Sequence, residues 1–367
     1  MNQITHFGAP GAEEFVETFI QKADGRILVV CGERSYDQSG VRDFLSGRLP
    51  ADTVYFRGFS SNPKKEDVMR GAELFRSAGI RAVLAVGGGS AMDTAKLVNF
   101  FGCTGTTLDA TLQGKCPADV SVRPLLAIPT TSGSGSEATH FAVIYRGVTK
   151  YSVDGPSMVP AYVLLVPEFT YSLSAHQTAC TGMDALAQGI ESLWARASTD
   201  ESRGYGREAV DLALRHLVAV VNEPNPENRA GMMRASNLAG RAIHISKTTA
   251  PHAFSYILTA TFGLPHGQAV GLLLPHFVGY HASQGVMIDG VTEPLLQELL
   301  QKTGLNRSLD IPSADLFQLL KENVNQERLQ NNPTAVSERL VHRIALALGN
   351  ENRLVKGVAH NVEEKHV

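Results

Sequence analysis

AVLAVGGGSAMDTAK, residues 82 to 96, runs from a hydrophobic strand through three consecutive glycines into a helix. Gly87, Gly88 and Gly89 let the backbone approach a phosphate closely, and the helix start offers free N–H groups and a positive dipole end. Ser90, with Asp93 three residues on, has the spacing of a capping box. The natural guest is the pyrophosphate of a dinucleotide, so Gly87, Gly88, Gly89, Ser90 and Asp93 form a first candidate cofactor loop. The competing reading of so short a glycine motif is a tight strand-to-helix turn with no ligand.

The same texture extends outward from this stretch. ILVVC (27 to 31), TVYFR (53 to 57), LLAIP (125 to 129) and YVLLV (162 to 166) read as further strands, and residues 64 to 79 carry apolar positions at helical spacing between two of them. Alternation of this kind predicts an open parallel α/β sheet. From about Ser174 the strand-like runs vanish and helical patterns follow over 175–196, 202–221, 227–245, 249–261 and 267–282. Asn222 to Pro226 reads as an interhelical turn. A weaker helical tail runs from Thr292, with a charged and frayed end expected. The expected division is an α/β dinucleotide-binding domain over 1–166 and an all-helical metal and substrate domain over 167–367. A second loop, IPTTSGSGSEAT (128 to 139), ends another strand, where ligands bind in such sheets, and it offers Thr130, Thr131 and Ser134 to phosphate or ribose.

With 367 residues, 43% hydrophobic and 19% charged, the chain has the composition of a soluble globular protein large enough for two cores. A formal net charge of −3 gives no global field to draw nucleic acid or anionic membrane, and neither is expected as a partner. Cys31, Cys103, Cys116 and Cys180 are scattered without a CxxC pair, which reads as reduced thiols. No apolar run reaches membrane-spanning length and the first residues do not read as a targeting segment, so a cytoplasmic location is expected.

In MDALAQGIESLW, Asp184 and Gln188 lie one helical turn apart and point from the same face. Downstream, PHAFSYILTATFGLPHGQAV supplies His252 and His266. An acid, an amide and two imidazoles read as a divalent-metal site suited to iron, zinc or nickel. Arg241, His244 and Lys247 recur at intervals of three and are expected on roughly one helix face, where they suit an anionic substrate; the plainer alternative is a solvated basic face. His140, His176, His216, His276, His281 and Glu137 are read as structural, and Trp194 as core packing.

Together GGGSAMDTAK, PTTSGSGSE, GMDALAQGIES and the HAFSY, PHGQAV and LPH segments resemble the iron-containing, group III alcohol dehydrogenase family, over most of the chain and in the right order. The resemblance implies a Rossmann-like N-terminal domain and an all-α C-terminal domain, the dehydroquinate synthase-like fold. It also implies a dinucleotide in the cleft between them, a homodimer, and a metal held by an Asp and three His. Carried over by position, the ligands are Asp184, His252 and His266, with Gln188 standing where the family has its remaining His. Iron(II) is the expected ion, with zinc or nickel as alternatives. Tyr256 stands where the family often has another His near the nicotinamide, and its phenol either relays a proton or packs. Lys150, in TKYSVD after an expected hairpin, resembles the family's lysine near the cofactor; a surface lysine is the alternative. The family's ribose-binding acid follows the first long strand. Here ILVVC runs into Gly32-Glu33-Arg34-Ser35, so Gly32 takes the acid's place, Arg34 and Ser35 are available to a 2′-phosphate, and NADPH is expected to serve at least as well as NADH.

ERSYDQSG, SKTTAPHAFSY and MDALAQGIESLW are most similar to the branch of the family that reduces phosphonoacetaldehyde to 2-hydroxyethylphosphonate. The expected reaction is metal-assisted hydride transfer to a small anionic aldehyde, with Tyr256 and Lys247 assisting and Arg241, His244 and Lys247 holding the anion. The alternatives are a general short-chain or polyol-phosphate dehydrogenase, a non-redox lyase of the dehydroquinate-synthase kind, or a nucleotide-binding homologue that has given up catalysis.

Overall fold

Strand β1 is Ile4–Phe7, β2 Ile27–Cys31, β3 Val54–Phe56, β4 Ala82–Gly87, β5 Leu125–Pro129, β6 Phe141–Arg146, β7 Thr149–Asp154 and β8 Tyr162–Leu165. Six of them form one parallel sheet in the order β1-β8-β5-β4-β2-β3, and β6 and β7 pair separately as an antiparallel hairpin. The computed structural model describes residues 3–114, 120–147, 149–324 and 326–350; Cys116 and the charged end beyond residue 350 lie outside them. Cys31, Cys103 and Cys180 are free thiols.

Strands β2, β4 and β5 are buried along their whole length, which explains their continuous apolar sequence. Side chains alternate across the sheet. Val29, Leu84, Leu126 and Ile128 meet one layer of helices through Val16, Phe19 and Leu45, while Leu28, Val30, Val83 and Ala85 meet the other through Phe75, Met92 and Val98. Those layers come from α1 (Ala12–Ala23), α2 (Glu33–Gln38), α3 (Val41–Leu45), α4 (Lys65–Ser77) and α5 (Gly89–Thr104), while α6 (Leu108–Leu112) packs through Leu108 in a separate cluster with Val68, Phe100 and Phe101. The expected strands are present within a residue or two. β1 was not foreseen, because ITHF is a half-exposed edge strand too short to carry a pattern. TKYSVD does not follow a hairpin but is itself the second hairpin strand, β7.

The chain leaves β2 for β3 on one side and returns through α4 to β4 on the other. The direction of winding therefore reverses between β2 and β4, and the crevice at their carboxyl ends is where such sheets bind ligands.

Past β8 the chain is helical: α7 (Ala175–Trp194), α8 (Asp200–Asn222), α9 (Pro226–Ser246), α10 (Ala250–Phe262), α11 (His266–Ser283), α12 (Glu293–Lys302), α13 (Ser313–Glu322), α14 (Gln326–Gln330) and α15 (Glu338–Leu348). Ser174 and Gln177 form a capping box that starts α7, and Asn225 caps α9 with Pro226 at its first position, so the Asn222–Pro226 breaker sits between helices as read. Helix α7 is buried on nearly every face and packs against α8, α9 and α11. A helix covered all round is the centre of its bundle, and functional side chains on α7 are correspondingly rigid. No described helix is long and apolar enough to cross a membrane.

Candidate active site

At the winding reversal, β4 ends on Gly87 with φ +142°, a conformation that L side chains rarely adopt. A Cβ on Gly89 would lie 2.9 Å from Ser134 Oγ, and one on Gly88 would lie 3.2 Å from the Thr131 methyl. The 87–89 and 130–134 loops are thus packed backbone to side chain, and the Thr130 amide donates to the Gly87 carbonyl at 2.9 Å. The helix begins earlier than the cap pattern implied. Gly88 is the N-cap of α5 and no side chain caps it. Ser90, already inside the first turn, contacts the Ser61 carbonyl. Asp93 does not reach back to the helix start; it accepts from Ser136 Oγ at 2.5 Å and the Val143 amide at 2.9 Å, tying the second loop and β6 to α5. The Ala91 and Met92 amides donate to the Gly88 carbonyl at 3.0 and 3.1 Å, which among the described residues leaves the Gly89 and Ser90 amides at the helix start for an anion.

Across the crevice, Gly32 is the extended N-cap of α2, with its amide about 4.0 Å from where a Gly87 Cβ would lie. Ser35 Oγ donates to the Gly32 carbonyl at 3.4 Å. Arg34 is exposed, and the Glu33 carboxylate lies 3.8 Å from the Cβ position of Gly58 in the loop after β3. Because Cys31 pairs with Val86, the residue at the strand end is Gly32 and no acid occupies it.

Asp184 and Gln188 face the same cleft from α7, joined by His252 on α10 and His266 at the start of α11. His252 Nε2 lies 3.2 Å and His266 Nε2 3.9 Å from Asp184 Oδ1, and the three donor atoms all lie within 4.8 Å of one another. Donors about 2.0–2.2 Å from a shared tetrahedral ion sit roughly 3.3–3.6 Å apart, so slight contraction would complete the cage. Gly267 makes the approach possible: a Cβ there would lie 1.8 Å from the Cys180 carbonyl, so only glycine lets the start of α11 rest on α7. Gln188 Nε2 donates to the Ser134 carbonyl at 3.3 Å, leaving Oε1 buried without a hydrogen-bond partner. A buried orphan acceptor beside an Asp–His–His set fits a cation.

Glu191 was not singled out in the sequence. It follows Asp184 and Gln188 on the same face of α7, is fully buried, and contacts His252 Nδ1 through Oε2. Its other oxygen accepts from the Thr249 amide at 3.0 Å and hydroxyl at 2.8 Å. The positions 184, 188 and 191 have i, i+4, i+7 spacing, the signal that could have found it. Burial disfavours the charged His252 ring, but Glu191 and Asp184 outweigh it and raise its pKa to about 10. Burial, with Lys150 and His252 nearby, pushes His266 down to about 3 against the pull of Asp184, leaving it neutral with a lone pair to offer.

Two adjoining chambers make up the cleft. A first chamber with room for about 250 Å³ of water-sized molecules is lined by Gly89, Ser90, Asp93 and Ser134 on the nucleotide side and by Asp184, Gln188, His252 and His266 on the other. A second chamber, about 280 Å³, includes Ser152, Asp154, Lys247 and Asn331. Phe141, Val143, Lys150, Thr248, Tyr256 and Arg328 border both. Tyr256 stacks on His266 with ring centroids 5.9 Å apart, and Lys150 Nζ sits 3.5 Å above the Tyr256 ring. Burial alone would raise the Tyr256 phenol, but Arg328, Lys150 and His252 outweigh it and hold it below its ordinary value.

The basic face expected on α9 does not form. Steps of three residues rotate about 60° around a helix, so Arg241 and Lys247 differ by roughly 120°. The helix also ends at Ser246, and Lys247 follows in a left-handed conformation at φ +56°. Arg241 lies over the Tyr205 ring at 5.6 Å. His244 Nδ1 lies 3.0 Å from His140 Nδ1, and burial together with His140 pushes its pKa to about 4, so it carries no charge at neutral pH. Lys247 alone reaches the cleft wall, where it pairs with Asp154 at 3.0 Å.

A glycine-cradled helix start and an Asp–His–His cluster facing one cleft, on an α/β sheet backed by a helical bundle, define a dinucleotide-binding protein of the metal-site class. Residues 3–167 match the description "Iron-containing alcohol dehydrogenase" and residues 178–289 match "Fe-containing alcohol dehydrogenase family, C-terminal". The chain belongs to the iron-containing alcohol dehydrogenase family, whose members are NAD(P)-dependent oxidoreductases. It is 33% identical over 283 residues to long-chain-alcohol dehydrogenase 1 of Geobacillus thermodenitrificans, covering 76% of this chain and 71% of that one. It is 35% identical over 219 residues to phosphonoacetaldehyde reductase of Streptomyces viridochromogenes, covering 57% of this chain and 55% of that protein, so the match spans only about half of that relative's length. The crystal structure of sulfoacetaldehyde reductase from Bifidobacterium kashiwanohense in complex with NAD+ superposes with TM-score 0.82 at 29% identity, over 95% of this chain and 97% of that one.

Proposed function

We propose that this protein reduces a small anionic aldehyde with NADPH or NADH, phosphonoacetaldehyde to 2-hydroxyethylphosphonate being the foremost candidate. In this reading residues 1–166 bind the nucleotide and residues 167–367 carry the metal and substrate site. The observation that carries it is the single chamber lined both by the open start of α5 and by Asp184, Gln188, His252 and His266. The activities for which the Streptomyces and Bifidobacterium relatives are named support a two-carbon aldehyde with a tetrahedral anion.

A divalent ion, iron first, supplies Lewis-acid polarisation of the carbonyl when bound, and the nicotinamide supplies the hydride. Asp184, His252 and His266 would hold the ion, with Gln188 Oε1 as fourth donor. Gly87 to Gly89, Thr130, Thr131 and Ser134 cradle the dinucleotide phosphates and ribose, with Arg34 and Ser35 at the adenosine end. The Tyr256 hydroxyl, stacked on His266, gives its proton to the carbonyl oxygen as the carbon accepts hydride, and is reprotonated from water. Assembly as a homodimer in the cytoplasm completes the proposal.

Oxidation of NADPH by the purified protein with phosphonoacetaldehyde, followed at the reduced-nicotinamide absorbance, tests this reading. Turnover should vanish in His266→Ala together with bound metal, while nucleotide affinity stays close to wild type because the glycine loops lie on other elements. Full activity in that variant or in thoroughly chelated protein would sink the metal mechanism. Equal turnover of uncharged and anionic aldehydes would sink the substrate assignment.

A further inference from the structure

In the metal cluster, Gln188 holds an acceptor that nothing satisfies. The side chain is 4% exposed on α7, its Nε2 donates to the Ser134 carbonyl at 3.3 Å, and its Oε1 has no hydrogen-bond partner. The same NH2 group lies against the Asp184 carboxylate. Both of these neighbours accept, so the amide has one admissible orientation. Turned over, its oxygen would meet the Ser134 carbonyl oxygen at 3.3 Å with no proton between them, leaving two buried acceptors unsatisfied. Oε1 is therefore the atom that Gln188 offers to the chamber it lines with Asp184, His252 and His266.

The Ser134 carbonyl that sets this orientation belongs to a stretch with little freedom. On one side of it Gly133 rests on α7, where a Cβ would lie 2.7 Å from the Thr181 carbonyl oxygen. On the other side Gly135, at φ +59°, rests on α9, where a Cβ would lie 2.5 Å from the Gly240 Cα. Further along, Ser136 Oγ donates to Asp93 at 2.5 Å and Glu137 accepts from Asn237 Nδ2 at 3.1 Å. Thr181 and Gln188 lie about two turns apart on one face of α7, so the face that receives Gly133 also presents the amide. Packing thus fixes Oε1 in advance of any ion, which spares the entropy of ordering a long side chain on binding.

We propose that Gln188 sets the metal selectivity of the site: its fixed amide oxygen joins the Asp184 carboxylate in a set of two oxygen and two imidazole donors, which narrows the advantage of zinc over manganese(II) and iron(II). This rests on the metal-site reading of the Asp–His–His set and adds which ions that set takes. Affinity for a given site rises from manganese through iron to the later divalent ions, and carbonyl and carboxylate oxygens suit manganese whereas imidazole suits zinc. An amide oxygen in the fourth position therefore withholds most from the ion that gains most from nitrogen. The order of affinities stays, and the gap between its ends closes.

The test titrates chelator-treated wild type, Gln188→His and Gln188→Leu with zinc and with manganese(II) in a calorimeter and compares the ratio of the two affinities. In Gln188→His the zinc-to-manganese ratio should rise about tenfold, because an imidazole replaces the oxygen. Gln188→Leu keeps the bulk and removes the donor, so both ions should weaken, manganese more than zinc, and the ratio rises there too. A merely structural role would weaken both ions alike. An unchanged ratio in Gln188→His, or wild-type affinity for both ions in Gln188→Leu, overturns the assignment. If the wild type binds neither ion, the metal reading fails and this inference with it; if it binds both and the ratio ignores residue 188, the metal reading stands and the selectivity inference alone falls. Should Gln188→His fail to fold, the Gln188→Leu ratio decides.

Discussion

Replacing Glu191 with glutamine changes one atom, and the surrounding hydrogen bonds dictate which way the new amide points. The Thr249 hydroxyl accepts from Trp194 Nε1 at 2.9 Å, so its single proton goes to Glu191 Oε1. The Thr249 amide donates to that same oxygen at 3.0 Å. A glutamine must therefore keep its oxygen toward Thr249 and turn its NH2 toward His252 Nδ1. In the neutral ring that ligates a metal, Nδ1 then has to accept, which leaves the one imidazole proton on Nε2, the atom 3.2 Å from Asp184. A protonated Nε2 cannot ligate a cation, and loss of a carboxylate that orients a ligating histidine costs about 10- to 100-fold in metal affinity, or roughly 1.4–2.8 kcal/mol. Glu191→Gln should thus bind iron(II) or zinc at least tenfold more weakly in calorimetric titration of the chelated protein, with nucleotide affinity near wild type. The variant should still fold, since volume and the Thr249 bonds are kept. Wild-type metal affinity in a folded Glu191→Gln protein would refute the claim that this carboxylate sets the His252 tautomer.

Three further outcomes are expected. Gln188→His should tighten metal binding measurably in the same titration, because an imidazole replaces an amide whose Oε1 is buried without a partner; weaker binding would remove Gln188 from the ligand set. NADPH should serve at least as well as NADH, and Arg34→Ala should raise KM for NADPH selectively; a marked wild-type preference for NADH would mean the 2′-phosphate is not read at the Gly32 loop. Lys96 donates to the Thr139 carbonyl and hydroxyl and the Phe141 carbonyl, and burial pushes its pKa down to about 8 from 10.5. Between those values the unfolded chain holds the extra proton, so this group's contribution to stability rises with pH from about 8 to 10.5. Denaturant titrations should show that rise diminished in Lys96→Met, and an identical pH dependence in variant and wild type would exclude it.

Local sequence determined the elements because each obeys a short-range rule. The apolar runs at 27–31, 82–86 and 125–129 are buried on both faces, and the glycines at 87–89 are required where loops touch. Helical spacing put Asp184 and Gln188 on one face, since a helix keeps i and i+4 in register regardless of its surroundings. The same rule misled at Arg241, His244 and Lys247, where drift around α9 and the end of the helix at Ser246 scattered the charges. Only the tertiary structure decided which distant groups share the cleft. Glu191 stands behind His252 because Thr249, just ahead of α10, is hydrogen-bonded to it on α7, and Arg328 reaches the cleft wall where Asn331 fastens the chain after α14 to the 246–248 segment. Contacts of that kind are fixed by how helices pack, and periodicity along one helix carries no record of its neighbour.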